Sequence, residues 1–348
     1  MKDLHYKNMI KRTFELFLII YIISGFAFCK QNKEESILNT ISNLAILSAA
    51  STIGQCQISS ANNTEYFTSG STPSGGSVSV ERISFQSGST LVDVYYPKST
   101  TTSLPLLVLF QGGNVHSSFY SKYAARMASE GYVVYVGNRC DLFIFQYFLY
   151  PSSSLGNTVL TEAKSQNSNL SSPLYGRLDL EKIGFLGHSL GGVVGLYAMN
   201  SICEFPFCGS GYQFLSQVKA GVFYGSGLGG SFSQSKFYKG SSGKGIPTGY
   251  IQGSLDSANK PEVGLASYKN ALAIKAYFSI EGANHYGITD LNSPYGAKAE
   301  SVNATLTQAD QIEKISKSSV LFLNTYLKGT TTITSSTIQG VTIAYEEW

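Results

Sequence analysis

From residue 78 onward, short apolar runs alternate with amphipathic stretches along the chain. Residues 104–110, 182–186 and 218–224 are rich in branched and aromatic side chains, which predicts strands buried on both faces of a sheet. Between such runs apolar residues return every three or four positions, which predicts helices. This alternation is typical of βαβ units, so the sequence predicts an α/β fold with a mostly parallel central sheet and helices on both faces.

The same pattern predicts the remaining elements and leaves two segments without a clear assignment. Residues 141–176 have no period, and we predict an excursion over the sheet edge. The Thr/Ser-rich residues 329–348 have no firm assignment, although one stretch is able to form an edge hairpin. The other predicted strands cover residues 78–85 and 90–96, which form an antiparallel pair, together with 132–136, 248–252 and 273–280, and the predicted helices cover residues 119–131, 191–202 and 308–327.

The beginning of the chain has the layout of a secretory signal. Lys11 and Arg12 precede an uncharged apolar run of 13 residues, 16–28, which then meets Cys29. The run is short for a bilayer span, which needs about 20 apolar residues. A Cys at this place resembles a bacterial lipoprotein cleavage site, although such sites prefer Gly, Ala or Ser where Phe28 stands. We predict export, with lipidated Cys29 as a membrane tether; an ordinary cleaved signal and an uncleaved anchor remain alternatives.

These features divide the chain into four segments. Residues 1–28 form the predicted signal peptide, and residues 29–77 form a low-complexity tether that is largely rich in Ser, Gly, Asn and Thr. Residues 78–328 carry the repeated strand and helix pattern and form the predicted globular domain. Residues 329–348 form a Thr/Ser-rich C-terminal extension.

Composition and charge exclude several classes of protein. Of the 348 residues, 43% are apolar and 14% are charged, which is unlike a disordered polyelectrolyte, a coiled coil or a collagen. The formal charge of +3 is small, and most of it lies in the signal segment. The domain therefore lacks the basic surface that nucleic acid requires, and we predict no nucleic-acid partner.

Export places the cysteines in an oxidising compartment. Apart from Cys29 there are four, Cys56, Cys140, Cys203 and Cys208, and an even number in this setting predicts two disulfides. Three pairings are possible, and we favour Cys203 with Cys208 and Cys56 with Cys140. No Cys or His spacing is typical of zinc, so we predict no metal site.

Residues 187–191 read GHSLG, the only GxSxG motif in the chain. The motif alone is weak evidence, because a chain so rich in Gly and Ser often contains a match by chance. Its position strengthens it, since a predicted buried strand turns there directly into a predicted helix. Flanking glycines avoid clashes at such a turn, and the Ser hydroxyl stands out above the sheet. Ser189 is therefore the predicted nucleophile, with a helix N-cap as the alternative role.

A serine nucleophile needs a base and an acid, which follow it in the order acid, then His, in one large class of hydrolases. Of the four His, only His285 lies beyond the motif, in the loop just past the predicted strand 273–280. Asp256 follows another predicted strand and is the predicted acid. The other carboxylates between Ser189 and His285 lie in a Cys-bounded loop, at a helix start or too close to the His; they are Glu204, Glu262 and Glu281.

Two backbone amides are predicted to hold the oxyanion of an acyl transfer. The Leu190 amide lies at the start of a helix, where its N–H is free to donate. The second amide is expected from the loop after strand 104–110, where Gly113 lets a substrate carbonyl approach closely. We predict that His188 is a packing and hydrogen-bonding neighbour and not a second base.

These motifs resemble the α/β-hydrolase superfamily over roughly residues 78–328. The segments SSFYSKYAARMASEGYVVYVGN and SPLYGRLDLEKIGFLGHSLGG, with the pair GSLD and GANHYGITD, are similar to the branch that holds chlorophyllases, dienelactone hydrolases, polyester-hydrolysing cutinases and platelet-activating-factor acetylhydrolases. The resemblance implies hydrolysis of a carboxylic ester by Ser189, Asp256 and His285, with Leu190 and Gly113 as oxyanion donors and no metal or organic cofactor. Gly113 departs from the bulky or aromatic residue often found there in these families.

Two alternative functions use the same fold. The aromatic stretch 143–150 is able to form a lid or an acyl-binding wall, as in a membrane-associated lipase or acyltransferase with the same triad, although core packing also explains it. A surface lipoprotein that only binds ligands is the alternative from another class. The ester substrate, its acyl length and the oligomeric state are left open by the sequence.

Overall fold

The computed structural model describes most of the chain beyond residue 65. The described residues are 66–87, 90–99, 103–143, 146–228, 245–272, 274–335 and 337–347, without the side chains of 141–147 and 335. All of them belong to one compact unit, which spans Ser48–Trp348.

Ten strands of the described ranges form one mixed sheet. They are β1 (Val80–Ser87), β2 (Thr90–Pro97), β3 (Leu104–Phe110), β4 (Val133–Phe143), β5 (Gln146–Leu149), β6 (Leu178–His188), β7 (Val218–Tyr224), β8 (Thr248–Gly253), β9 (Lys275–Ile280) and β10 (Val341–Glu346). Their order is β1-β2-β4-β3-β6-β7-β8-β9-β10, with β5 paired to β4. The strands from β4 to β9 in this order are parallel neighbours, and β1, β2, β5 and β10 pair in antiparallel fashion.

Helices cover both faces of the sheet. They are α1 (Ser121–Ser129), α2 (Leu155–Ser168), α3 (Leu190–Met199), α4 (Pro261–Asn270) and α5 (Gln308–Leu323). Along β3 alternate side chains enter two separate cores, Leu107 and Leu109 with α1 and α5, and Leu106 and Val108 with α2 and α3. This two-sided burial explains why β3 is apolar at every position, and it confirms the predicted α/β fold.

The parallel strands that position the site were largely predictable. β3 and β7 have the predicted bounds, and β8 and β9 differ by one or two residues from the prediction. The nucleophile strand β6 begins four residues earlier than predicted and runs to His188. Since the carboxyl ends of parallel strands meet at one edge, the loops after β3, β6, β8 and β9 share that edge.

The segment predicted as an excursion contains the hairpin of β4 with β5 and the helix α2. Only a narrow stripe of α2 is buried, with Leu155, Val159, Leu160 and Ala163 among its members. The other residues of the helix are mainly Ser, Thr, Asn, Gln, Lys and Glu, which hides the helical period in the sequence.

The globular domain begins earlier than the predicted boundary at residue 78. Phe67 is 5% exposed and lies in the core with α1. Backbone hydrogen bonds join Gly70 to the Val80 carbonyl at 2.7 Å and Val80 to the Ser71 carbonyl at 2.9 Å. Residues 66–77 are therefore held on the domain by an aromatic anchor and by backbone pairing, although their Ser/Gly-rich composition suggested a tether.

The C-terminal extension adds an edge strand instead of the hairpin considered above. β10 pairs antiparallel with β9, with Val341 opposite Ile280 and Glu346 opposite Lys275. Ile333, on the way to β10, is 3% exposed and packs in the core with α5. The extension is thus part of the domain.

The predicted signal peptide, Cys29, Cys56 and the tether up to residue 65 lie outside the described residues. Among the helices of the described ranges, none combines the length and the apolar character that crossing a membrane requires.

Candidate active site

Ser189 occupies a strained turn between β6 and α3. Its φ is +53° and its ψ is −124°, a backbone conformation that is costly for a residue other than Gly. The turn is held by hydrogen bonds from the Ser189 amide to the Tyr224 carbonyl, 3.0 Å, and from the Ser226 hydroxyl to the Ser189 carbonyl, 2.8 Å. A Cβ at Gly191 would overlap the carbonyl oxygen of Phe110, so this position of the motif admits only glycine. Such a turn is the nucleophile elbow expected from the motif.

The predicted acid, base and nucleophile lie in one line of hydrogen bonds. His285 Nε2 is 2.9 Å from Ser189 Oγ, and His285 Nδ1 is 2.9 Å from Asp256 Oδ2. His285 is 3% exposed, and Asp256 is also 3% exposed. Both distances fall within hydrogen-bond range, so the imidazole can accept the hydroxyl proton at Nε2 while Nδ1–H donates to the carboxylate.

Asp256 is itself held by donors from the end of β8 and from the loop that follows it. The amides of Ala258 and Asn259 donate to Oδ1 at 3.1 and 2.8 Å, and Gln252 Nε2 donates to Oδ2 at 2.9 Å. These bonds fix the carboxylate so that Oδ2 faces His285. A Cβ at Gly225, whose φ is +55°, would come within 3.0 Å of Asp256 Oδ2, so the end of β7 leaves room for the acid and the base.

Burial and charge act in opposite directions on His285. Burial lowers the pKa of the imidazole, but the Asp256 carboxylate raises it by charge and by hydrogen bonding, and Glu300 raises it further. Lys298 opposes these two carboxylates. The net result is a His285 pKa above its ordinary value of 6.5, because the two negative charges outweigh burial.

His188 joins the loop after β3 to the backbone of the base. It is fully buried, its Nε2 lies 2.9 Å from the His285 carbonyl, and its Nδ1 lies 2.9 Å from the Tyr120 hydroxyl. The Gly112 amide donates to the same hydroxyl at 2.8 Å. Burial, and then the neighbouring His285, lower the pKa of His188 well below its ordinary value, so His188 is neutral. The prediction that it is a hydrogen-bonding neighbour is confirmed.

Tyr120→Phe is expected to destabilise the domain by about 1 to 3 kcal/mol, because the Gly112 amide and His188 Nδ1 would both lose a buried partner. The free energy of unfolding in urea is the measurement. Tyr123→Phe is the matched control. The Tyr123 hydroxyl is hydrogen-bonded to the Ser319 hydroxyl, and in the variant Ser319 would keep its other bond, to the Ile315 carbonyl. Equal and small effects of both variants would contradict this description of the Tyr120 hydroxyl.

The predicted oxyanion amides lie at the start of α3 and in the loop after β3, at the edge of the sheet that carries the triad. Leu190 is the first residue of α3, and Gly113 lies three residues after β3. Within the described part of the chain no hydrogen bond uses the amide of either residue. The neighbouring Gly112 amide, by contrast, is engaged by Tyr120. Among the residues that the structure describes, both predicted amides therefore keep an N–H without a protein partner.

Asp290, five residues after the base, binds the start of α1. Its carboxylate accepts from the Ser121 amide at 2.9 Å, the Ser121 hydroxyl at 2.7 Å and the Lys122 amide at 3.1 Å. Burial raises its pKa to about 7, although these bonds oppose the rise. Asp290 thus caps a helix distant in sequence and ties the base loop to α1.

The cysteines of the described ranges are engaged in disulfides. Cys203 and Cys208 are bonded to each other, which confirms that part of the prediction. Cys140 is also disulfide-bonded, and its partner lies outside the described residues, so the pairing with Cys56 stays a prediction. In the same ranges no group of three or more His, Cys, Asp or Glu side chains is placed to hold a metal ion.

Comparison with known proteins agrees with the fold. A family model described as PET hydrolase-like matches residues 62–204. The matched part includes Gly113 and Ser189 and ends before Asp256 and His285. No curated protein compared with the chain matches it. The strand order described above agrees with the α/β-hydrolase fold that this match indicates.

Proposed function

We propose that the protein is a serine hydrolase of carboxylic esters that works through an acyl-enzyme. The observation that carries this proposal is the pair of 2.9 Å contacts that aligns Asp256, His285 and the Ser189 hydroxyl on a strained elbow. A serine is a weak nucleophile without such a base, and a binding protein has no need of this alignment.

In the proposed mechanism Ser189 Oγ attacks the ester carbonyl while His285 Nε2 takes its proton. Asp256 holds the tautomer with the proton on Nδ1 and stabilises the imidazolium. The amides of Gly113 and Leu190 receive the oxyanion. His285 then gives the proton to the leaving alcohol, and water, activated by the same imidazole, hydrolyses the acyl-enzyme.

The pH dependence of kcat/KM is expected to reflect the raised pKa of His285. The base must be neutral to accept a proton, so activity falls as the pH decreases through this pKa. We therefore expect the midpoint of the acid limb above pH 6.5, the ordinary value for His. A midpoint at or below that value would contradict the electrostatic description of the site. Chromatographic measurement of product avoids the titration of a chromogenic leaving group.

Labelling with a fluorophosphonate separates the proposed enzyme from a ligand-binding protein. The reagent modifies a base-activated serine, so we expect one adduct per chain, mapped to Ser189 by peptide mass spectrometry, and none in His285→Ala. Absence of an adduct on the folded protein would favour the binding function and reject the proposal.

The substrate class within the esters is open to a direct test. The PET hydrolase-like match brings aromatic polyesters into consideration beside small soluble esters. Gly113 places no side chain in the oxyanion loop, so the size of the acyl group that fits beside it is best tested with esters of graded acyl length. We propose a panel of nitrophenyl esters of increasing chain length together with a polyester film; the acyl length with the highest kcat/KM defines the preferred substrate.

We also propose that the protein is exported and tethered to a membrane through Cys29. The support is the signal-like run 16–28 that ends at this residue. Mass spectrometry of the N-terminus of protein purified from cells tests it, because a lipidated Cys29 would be the first residue of the mature chain.

A further inference from the structure

Glu300 contacts both loops that carry the acid and the base. Its Oε2 accepts a hydrogen bond from the His285 amide at 2.9 Å. Its Oε1 accepts from the amide of Ser257 at 3.2 Å and from the Ser257 hydroxyl. Ser257 directly follows Asp256, so a single carboxylate bridges the residue next to the acid and the base itself.

The bridge joins two loops that come from neighbouring strands. Asp256 and Ser257 follow β8, and His285 follows β9. The Ser301 amide donates to the Ser257 hydroxyl at 3.2 Å, so the segment that carries Glu300 is bound to the acid loop at a second point. The distance between Asp256 and His285 therefore depends on a group outside the triad.

The charge of Glu300 also acts on the base. The charged groups that influence the pKa of His285 are Asp256, Glu300 and Lys298. The ring centre of the neutral His188 lies 4.8 Å from that of His285. Asp256 and Glu300 raise the pKa of the imidazole, and Lys298 lowers it. Glu300 is partly exposed, so its effect is smaller than that of a buried carboxylate but acts in the same direction as Asp256.

We propose that Glu300 is a positioning residue of the active site, which fixes the acid loop relative to the base loop and places a second negative charge beside the imidazole. This inference rests on the proposed function, because it assigns Glu300 a part in the same ester hydrolysis. Glu300 lies outside the GxSxG motif and 15 residues beyond the base in the chain.

The test compares the pH dependence of kcat/KM in wild type, Glu300→Gln and Glu300→Asp. For Glu300→Gln we expect kcat to fall about 10-fold and the acid limb to move down by about 0.5 pH unit, as for loss of one partly exposed charge. Glu300→Asp keeps the charge but shortens the reach, so we expect a lower kcat with the acid limb within about 0.2 pH unit of wild type.

Glu281→Gln is the matched control. Glu281 is four residues from His285 and exposed, and within the described residues no hydrogen bond or ion pair uses its side chain. We expect wild-type kcat and an unmoved acid limb. All rates are expressed per serine labelled by a fluorophosphonate, so that misfolded protein does not contribute.

An unmoved acid limb in Glu300→Gln, with or without a loss of kcat, would overturn the inference, because a purely structural role leaves the limb in place. If Glu300→Gln does not fold, the separate variants Ser257→Ala and Glu300→Asp test the inference instead. Each is expected to lower kcat and to leave the acid limb in place. An unchanged kcat in both variants would overturn the inference. Wild type that neither labels nor turns over would instead reject the proposed function.

Discussion

Replacement of Ser189 by alanine is expected to lower kcat/KM for ester hydrolysis by about 10⁴-fold or more, because nothing else in the line from Asp256 through His285 can form the acyl-enzyme. The backbone strain at φ +53° is the same for alanine as for serine. We therefore expect the free energy of unfolding to change by less than about 1 kcal/mol. Kinetics and urea unfolding on the same preparation measure both quantities.

Ser171→Ala is the control for this experiment. Ser171 is exposed and lies just after the C-terminal end of α2. The variant therefore makes the same change, serine to alanine, at a position away from the triad. Its rate should equal that of wild type. A Ser189→Ala protein that hydrolyses esters at the wild-type rate would place the reaction at another residue and end the proposed mechanism.

Asp256→Asn is expected to lower kcat by about 10³ to 10⁴-fold through the wrong His285 tautomer. The amides of Ala258 and Asn259 bind Oδ1, so the side-chain oxygen of Asn would stay with them and its NH₂ group would face His285 Nδ1. The imidazole would then carry its proton on Nε2 and donate to Ser189, which removes the base.

The loss in Asp256→Asn should depend on this geometry and not on unfolding. Gln252 Nε2 also donates to Asp256 Oδ2, so Asn at this place brings two donors together and costs some stability. Measurements of kcat at several pH values, at a temperature well below the midpoint of thermal unfolding, separate the loss of the base from the loss of stability. A variant that retains a tenth or more of wild-type kcat while folded would contradict the assignment of Asp256 as the acid.

The parts of the fold that could be predicted are those in which burial determines residue type. β3 is buried at every position and β7 at every position except Lys219, so both stand out in the sequence as apolar runs and their bounds were correct. α2 has only a narrow buried stripe, and its polar residues obscured the period. Phe67 is a single buried aromatic in a polar segment, and one side chain does not make a pattern that distinguishes an anchored segment from a tether.

The residues of the candidate site could be predicted because the chemistry restricts them. A single His follows the motif, and strand ends limit the choice of acid, so the sequence alone predicts the three residues that the structure brings together, Ser189, Asp256 and His285. Glu300 was missed, since its role depends on a loop whose path is set by tertiary contacts. The only signal in the sequence was an acidic residue a short distance along the chain from the base. Many carboxylates on the surface of a protein meet that description.

The formation of an acyl-enzyme on Ser189 is the central claim, and rapid acid quenching during hydrolysis of a nitrophenyl ester measures it most directly. Intact-mass and peptide analysis of the quenched protein should show a single acyl group per chain, attached to Ser189 and lost on further incubation. Turnover without any acylated Ser189, or with the acyl group on another residue, would contradict the account.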